Sequence, residues 1–203
     1  RPNMNNPHDT TTAGLVDDQL FDVDCAGCSG CCREPVVALT HLELQRLADY
    51  THLPARNIAK LYKPKDMDID DGEEDEDDDW FEYRRSYRML GLKKPDGRCI
   101  FLGENDRCRV YAERPLTCRL YPRMIIFSED VTEGFEMGEF NSAGVDGCGA
   151  CAAPAAEPAD VQQLYERTRD ERFAYWELVR QWEQEANHRK ATKAEFLEFI
   201  GCR

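Results

Sequence analysis

The sequence predicts an α+β fold: a small cysteine-rich core stapled by metal, with short strands and a helical C-terminal extension. Three observations predict it. The chain of 203 residues holds ten cysteines, four of them within "DCAGCSGCCREP" at 24–35. Short β-leaning stretches occupy the middle of the chain, and helical periodicity takes over from about residue 158. A chain of this length can bury one modest core.

The elements follow in order. Residues 1–20 read as a disordered lead-in, 21–155 as a cysteine-cluster domain and 156–203 as the helical extension. Thr40, with Glu43 three positions on, forms a capping box, and Leu42, Leu47 and Ala48 continue at helical spacing, so a helix starts near Thr40. "PARNIAKLYK" predicts a second helix, with Pro54 in its first turn and its end before Pro64. "WFEYRRSYRMLGL" is aromatic and β-leaning, "RCIFL" is a short strand, and "RMIIFSEDVTEGFEMGEF" is a hairpin turning at "EDVTEG". From Pro158 to Arg189, Val161, Leu164, Tyr165, Thr168, Trp176 and Val179 recur three or four apart, the spacing of a helix packed over the cysteine-bearing region. Thr192 and Glu195 cap a last short helix carrying Phe196, Phe199 and Ile200.

The net charge of −14 is local in origin. Residues 66–79, "DMDIDDGEEDEDDD", hold eleven acids and no base, which reads as a solvated loop. It fails as a calcium loop, because Asp71 stands where an EF-hand needs Gly and Asp77 where it needs Glu. Between Arg98 and Arg123 lie six arginines, no lysine, and Cys99, Cys108 and Cys118. This could be a nucleic-acid patch, but it lacks an aromatic platform and the chain lacks positive charge. The favoured reading is that these guanidinium groups neutralise thiolates and donate hydrogen bonds to sulfur or nearby carbonyls. No run of eighteen apolar residues exists, so no membrane span is predicted.

The cysteines carry the chemistry. A disulfide framework suits short secreted chains, and adjacent Cys31 and Cys32 cannot bond each other without strain. A nucleophilic thiol needs a base, and His8, His41, His52 and His188 are scattered; each reads as a surface or capping residue. Metal ligation accounts for more, since C-x-x-C spacing lets two sulfurs converge on one ion. Neighbouring side chains tend to point apart, so Cys31 and Cys32 suggest two ions or opposite sides of a polynuclear cluster. Gly27 and Gly30 permit the tight turns that such a loop needs. Thiolate softness suits zinc and iron–sulfur about equally, and the bacterial ferredoxin run is only echoed, because the fourth cysteine comes early and Pro35 follows Glu34.

The stretches "CAGCSGCC", "LTHLEL", "GRCIFL", "CRVYAERPLTCRLYP" and "DGCGAC" resemble the YkgJ-type CxxCxxCC cysteine-cluster family of zinc- or iron-chelating domains, over residues 24 to 151. The resemblance implies ligand roles for Cys25, Cys28, Cys31, Cys32, Cys99, Cys108, Cys118 and Cys148, and makes Arg114, Pro115, Arg119 and Pro122 structural supports. The acidic insert, Cys151 and the long helical tail depart from the family core, and Cys202 matches nothing in it. A related domain occurs in flagellin lysine N-methylases, which raises a link to protein lysine methylation. Eight thiolates are offset by half with two divalent ions, and the arginines supply the rest. In this reading metal binding is folding free energy, on the order of 10 kcal/mol per structural zinc.

The function expected is metal binding, with about two zinc ions, or alternatively iron or an iron–sulfur cluster. It would support a scaffold or assembly role beside other protein subunits. An iron–sulfur enzyme or electron carrier is the second reading; no Gly-rich strand-to-helix loop for a nucleotide-like cofactor is present. Thiols in this number suit a reducing cytoplasm or organelle matrix.

Overall fold

The computed structural model describes residues 29–33, 36–67, 79–121, 123–126, 136–140, 158–185 and 190–203. The lead-in, most of the acidic run, the "EDVTEG" turn, Cys25, Cys28, Cys148, Cys151, His8 and His188 lie outside them. In chain order the elements are α1 (Gly30–Arg33), α2 (His41–Thr51), α3 (Ala55–Ile58), β1 (Ala59–Tyr62), β2 (Trp80–Tyr83) and β3 (Ser86–Leu92). There follow α4 (Leu116–Leu120), β4 (Arg123–Ile126), β5 (Glu136–Phe140), α5 (Pro158–Gln184) and α6 (Lys193–Phe199). The fold is α+β, as the sequence predicts.

Helix α2 begins where its capping box requires. Glu43 N–H donates to Thr40 Oγ1 at 3.2 Å and Thr40 N–H donates to Glu43 Oε2 at 2.7 Å. The helix ends at His52, whose left-handed φ of 55° caps it. Its buried face is His41, Glu43, Leu44 and Leu47. His41 is therefore not a surface residue: it stacks on Tyr175 with ring centroids 6.2 Å apart.

The second predicted helix stops early. Only Ala55–Ile58 is helical, and Ala59–Tyr62 turns into a strand, because pairing with β3 (Ala59 opposite Leu92, Tyr62 opposite Met89) outweighs local helix propensity. Strand β3 is the middle of a three-stranded antiparallel sheet in the order β1-β3-β2. Val37 and Leu39 continue the sheet beside β3, through Leu92 N–H to Val37 O and Leu39 N–H to Leu90 O, both 2.9 Å. Gly91 permits that approach, since a Cβ there would stand 3.0 Å from Val36 Cγ1 and 3.1 Å from Val37 O.

Strands β2 and β3 are joined by a two-residue turn of Arg84 and Arg85, with φ of 55° and 66°. Two positive φ values make this the I′-type geometry that suits strand twist, and it normally calls for Asn-Gly. Each arginine held there costs about 1 kcal/mol. The second hairpin is also present: β4 pairs antiparallel with β5, Arg123 opposite Phe140, with an irregularity between Arg123 and Ile125.

The C-terminal helices share the core of the cysteine-bearing region. Phe196 of α6 stacks on Phe81 of β2 at 4.7 Å and meets Trp182 of α5 edge-on at 5.1 Å. Leu44, Leu47, Ile58, Leu90, Leu92, Tyr175 and Ile200 join the same buried cluster. Fully burying one such side chain stabilises by about 2 kcal/mol, so this cluster holds the layers together. Polar contacts fix the packing: Glu171 of α5 accepts both guanidinium nitrogens of Arg46 at 2.9 and 2.7 Å, and Glu183 accepts Glu82 N–H of β2 at 2.6 Å. Thr192 and Glu195 form the predicted capping box of α6. The chain then closes on α3, with Ala55 N–H donating to Arg203 O at 3.0 Å. Among the described residues no helix is long and apolar enough to cross a membrane.

Candidate metal centre

Three segments carry five of the six described cysteines to one place. Cys31 and Cys32 lie on α1, Cys99 and Cys108 on the loop after β3, and Cys118 on α4. The glycines of "CAGCSGCC" predict a turned loop, but residues 30–33 form a helical turn entered through Ser29, whose φ is 52°. Gly30 is not the left-handed residue. Ser29 is held in that conformation from both sides of its backbone and side chain, by Cys32 N–H to Ser29 O at 3.1 Å and Arg33 Nε to Ser29 Oγ at 3.0 Å.

The loop is folded by its own hydrogen bonds. "RCIFL" does not form a strand: Leu102 N–H turns back to Cys99 O at 2.9 Å, and only Leu102 and Cys108 bridge as opposed residues. Arg109 N–H donates to Phe101 O at 2.9 Å, so the chain doubles back and returns Cys108 toward Cys99. Helix α1 is tied to this loop three times. Cys99 N–H donates to Cys32 O at 2.9 Å, Lys94 Nζ to Arg33 O at 2.8 Å, and Arg33 pairs with Asp106 at 2.9 Å.

Helix α4 follows Pro115, which supplies a fixed φ at the helix entrance. Its first N–H, that of Leu116, donates to Glu43 Oε1 at 2.7 Å. Glu43 thus serves two helix starts. The local pattern predicted the first of these roles and could not predict the second, which spans 73 positions.

Cys31, Cys32, Cys99, Cys108 and Cys118 all line one cavity of about 70 Å³, each half-buried. It has room for several water-sized bodies. Lys94 and Arg114 bring positive charge to its wall, which Val37, Leu92, Phe101 and Val110 otherwise make largely apolar. Cys31 and Cys32 both line this cavity. The neighbouring Cys32 thiol, helped by Lys94 and Arg114, brings Cys31 down to about 7, while Cys31 in turn pushes Cys32 up. Burial raises Cys99, and burial together with the charges of Cys31, Cys99 and Cys108 raises Cys118 well above the ordinary thiol value.

Burial and mutual repulsion favour neutral thiols here when no cation is bound. Several thiolates cannot ionise together in this space unless cations replace their protons, and divalent zinc or iron does that. The soft sulfur donor set fits such an ion, and Lys94 and Arg114 offset thiolate charge in excess of it. Among the described residues no three of these side chains are drawn in to coordination distance. Cys25, Cys28 and Cys148 lie outside those residues.

Two arginines of this region bond carbonyl oxygens, and a third lies over a ring. Arg109 donates to Ile100 O at 2.7 Å, Arg119 to Arg114 O at 3.2 Å and to Ala112 O, and the Arg114 guanidinium lies 3.8 Å from the Tyr111 ring centroid. These contacts brace the loops that carry Cys108 and Cys118. Cys202 stands apart from the cavity, 2% exposed in the core, with its Sγ donating to His41 O at 3.4 Å. Burial pushes its thiol up to about 12.

Comparison with known proteins supports metal binding. Residues 24–142, more than half of the chain, match the CxxCxxCC family, described as a "Putative zinc- or iron-chelating domain". The match takes in seven of the eight predicted ligand cysteines and ends before Cys148. The chain is also similar to the uncharacterized protein MJ0661 of Methanocaldococcus jannaschii, 31% identical over 100 residues, which is 48% of this chain and 43% of that protein. The chain therefore spans less than half the length of that relative. No solved structure matches it.

Proposed function

Since the chain belongs to the CxxCxxCC family of zinc- or iron-chelating domains, we propose that it holds its metal through thiolates converging on this cavity. The ligands are Cys31, Cys32, Cys99, Cys108 and Cys118, joined by Cys25, Cys28 and Cys148. One observation carries the reading: cysteines from three segments far apart in sequence open onto a single cavity whose wall holds Lys94 and Arg114.

The metal is zinc, about two ions per chain, acting as a structural staple. Closing loops as long as those between α1, the 93–110 loop and α4 restricts the unfolded chain strongly, which is where such a staple acts. The stapled domain then serves as a scaffold or assembly subunit beside other proteins, in a reducing cytoplasm or organelle matrix. The sharing of one cavity by Cys31 and Cys32 favours a polynuclear centre over two separate mononuclear sites. A polynuclear iron–sulfur cluster is the second reading on the same ground.

Cobalt(II) titration of chelator-treated protein tests the ligand assignment. Thiolate coordination gives an intense near-ultraviolet charge-transfer band, expected to saturate near two equivalents and to weaken in Cys31→Ser, Cys32→Ser and Cys118→Ser. A titration that yields no thiolate band overturns the proposal.

A further inference from the structure

Cys32 of α1 and Cys99 of the loop after β3 come from segments far apart in the chain, yet their backbones are in direct contact. Cys99 N–H donates to Cys32 O at 2.9 Å. A backbone bond of this kind sets the two Cα atoms about 5–6 Å apart. That separation lies inside the range a disulfide spans without backbone movement. Both side chains line the same cavity, so they face the same space, and both are free, half-buried thiols within reach of a small oxidant.

The contact is clamped by its surroundings. Lys94 Nζ donates to Arg33 O at 2.8 Å and Arg33 pairs with Asp106 at 2.9 Å, which holds the helical turn against the loop. Two neighbouring cysteines are poorer partners for Cys32. Cys31 precedes it within one helical turn, where a disulfide between adjacent residues is strained. Cys118 sits on α4, which is anchored elsewhere, through Leu116 N–H to Glu43 Oε1.

We propose that Cys32 and Cys99 form an oxidative modification site: hydrogen peroxide joins them as a disulfide, and the metal they hold is released. The metal loss rests on the reading of this cavity as a metal centre, whereas the pairing rests on the backbone contact. Two thiolates, two protons and one hydrogen peroxide give one disulfide and two waters, through a sulfenic acid on one sulfur that the other sulfur attacks with loss of water. Both electrons come from sulfur, and zinc, which has no redox change of its own, leaves as the divalent ion. The disulfide keeps α1 tied to the 93–110 loop while removing two ligands, so α4 loses the tie that metal supplies through Cys118. Reversible, redox-sensing disulfides are the kind that occur in reducing compartments.

The test is a hydrogen peroxide titration of the full chain purified under reducing conditions, its zinc content measured first. Remaining thiols are alkylated, and unreduced peptides are mapped by mass spectrometry with fragmentation that tells Cys32 from Cys31. A chromogenic chelator follows zinc, and hydrogen exchange follows α4. The expected result is a Cys32–Cys99 cross-link as the main product, zinc released in proportion to it, and faster exchange in α4 than in α1 and the 93–110 loop. Dithiothreitol should restore zinc binding. A main product that links any other two cysteines, or zinc release with Cys32 and Cys99 still open to alkylation, would overturn the proposal. A chain that carries no metal yet forms the Cys32–Cys99 cross-link would support the pairing and contradict the metal reading.

Discussion

The backbone N–H of Leu116 donates to Glu43 Oε1 at 2.7 Å, joining residues 73 positions apart in the buried interior. The other carboxylate oxygen of Glu43 receives Thr40 N–H at 2.7 Å. One side chain thus sets both the start of α2 and the start of α4, and α4 carries Cys118. The packed helical part of the fold and the cysteine cavity meet at this carboxylate.

Removing it should loosen both. Glu43→Ala leaves two buried N–H groups without their acceptor, at a cost of about 2–4 kcal/mol. Because α4 loses its anchor, metal retention against a competing chelator should also weaken, by about tenfold or more as for other supports of ligand residues. Glu43→Gln keeps one acceptor oxygen and should lose less of each. Urea unfolding and chelator competition measure the two effects; unchanged metal retention in a destabilised Glu43→Ala would separate Glu43 from the cavity.

Cys202 should behave unlike the cavity thiols. Burial pushes it up to about 12, and its Sγ is committed to His41 O. It should resist iodoacetamide in the native protein, and Cys202→Ser should keep full metal content. Cys31, Cys32, Cys99, Cys108 and Cys118 should be alkylated after chelation and protected by metal. Mass spectrometry of the modified peptides checks this, and native alkylation of Cys202 would contradict its placement.

Lys193 gives a pH dependence of known sign. Its Nζ donates to Arg56 O and Ala59 O, and burial, with Lys93 nearby, lowers it from 10.5 to about 8. Below pH 8 both folded and unfolded chains carry the charge, so the folded state bears the full burial penalty. Between about 8 and 10.5 the folded chain has released a proton that the unfolded chain keeps, so stability from this group rises with pH. The stability of wild type relative to Lys193→Met should therefore improve from pH 7 to pH 10. A flat difference would mean that the amine titrates normally.

The cluster itself should act as a staple. Cys32→Ser or Cys118→Ser should lower metal content and destabilise the region around α1, the 93–110 loop and α4, read by hydrogen exchange. A variant that stays fully folded with full metal content removes that residue from the ligand set.

What could be read from sequence was what local chemistry decides. Both capping boxes, Thr40 with Glu43 and Thr192 with Glu195, close within one helical turn, and both are present. The 158–189 stripe was legible for the same reason: Leu164, Tyr165, Thr168, Trp176 and Val179 are buried as their spacing predicts. The misreadings needed distant partners. Ala59–Tyr62 looks helical until β3 pairs with it, and "RCIFL" looks like a strand until the Cys99 and Cys108 arms bond across the loop. Of the candidate ligands, the convergence of Cys31, Cys32, Cys99, Cys108 and Cys118 was legible through their family-like order, whereas Lys94 on the cavity wall and the second role of Glu43 belong to tertiary structure alone.

Elemental analysis of anaerobically purified protein, with the visible spectrum of the same sample and its melting curve before and after chelation, tests the central claim most directly. The account predicts colourless protein with about two zinc per chain and collapse of the cysteine-bearing region when zinc is removed. Brown protein with iron and sulfide would replace zinc with the iron–sulfur reading. Metal-free protein that melts cooperatively at the same temperature as the metal-loaded sample would contradict the account.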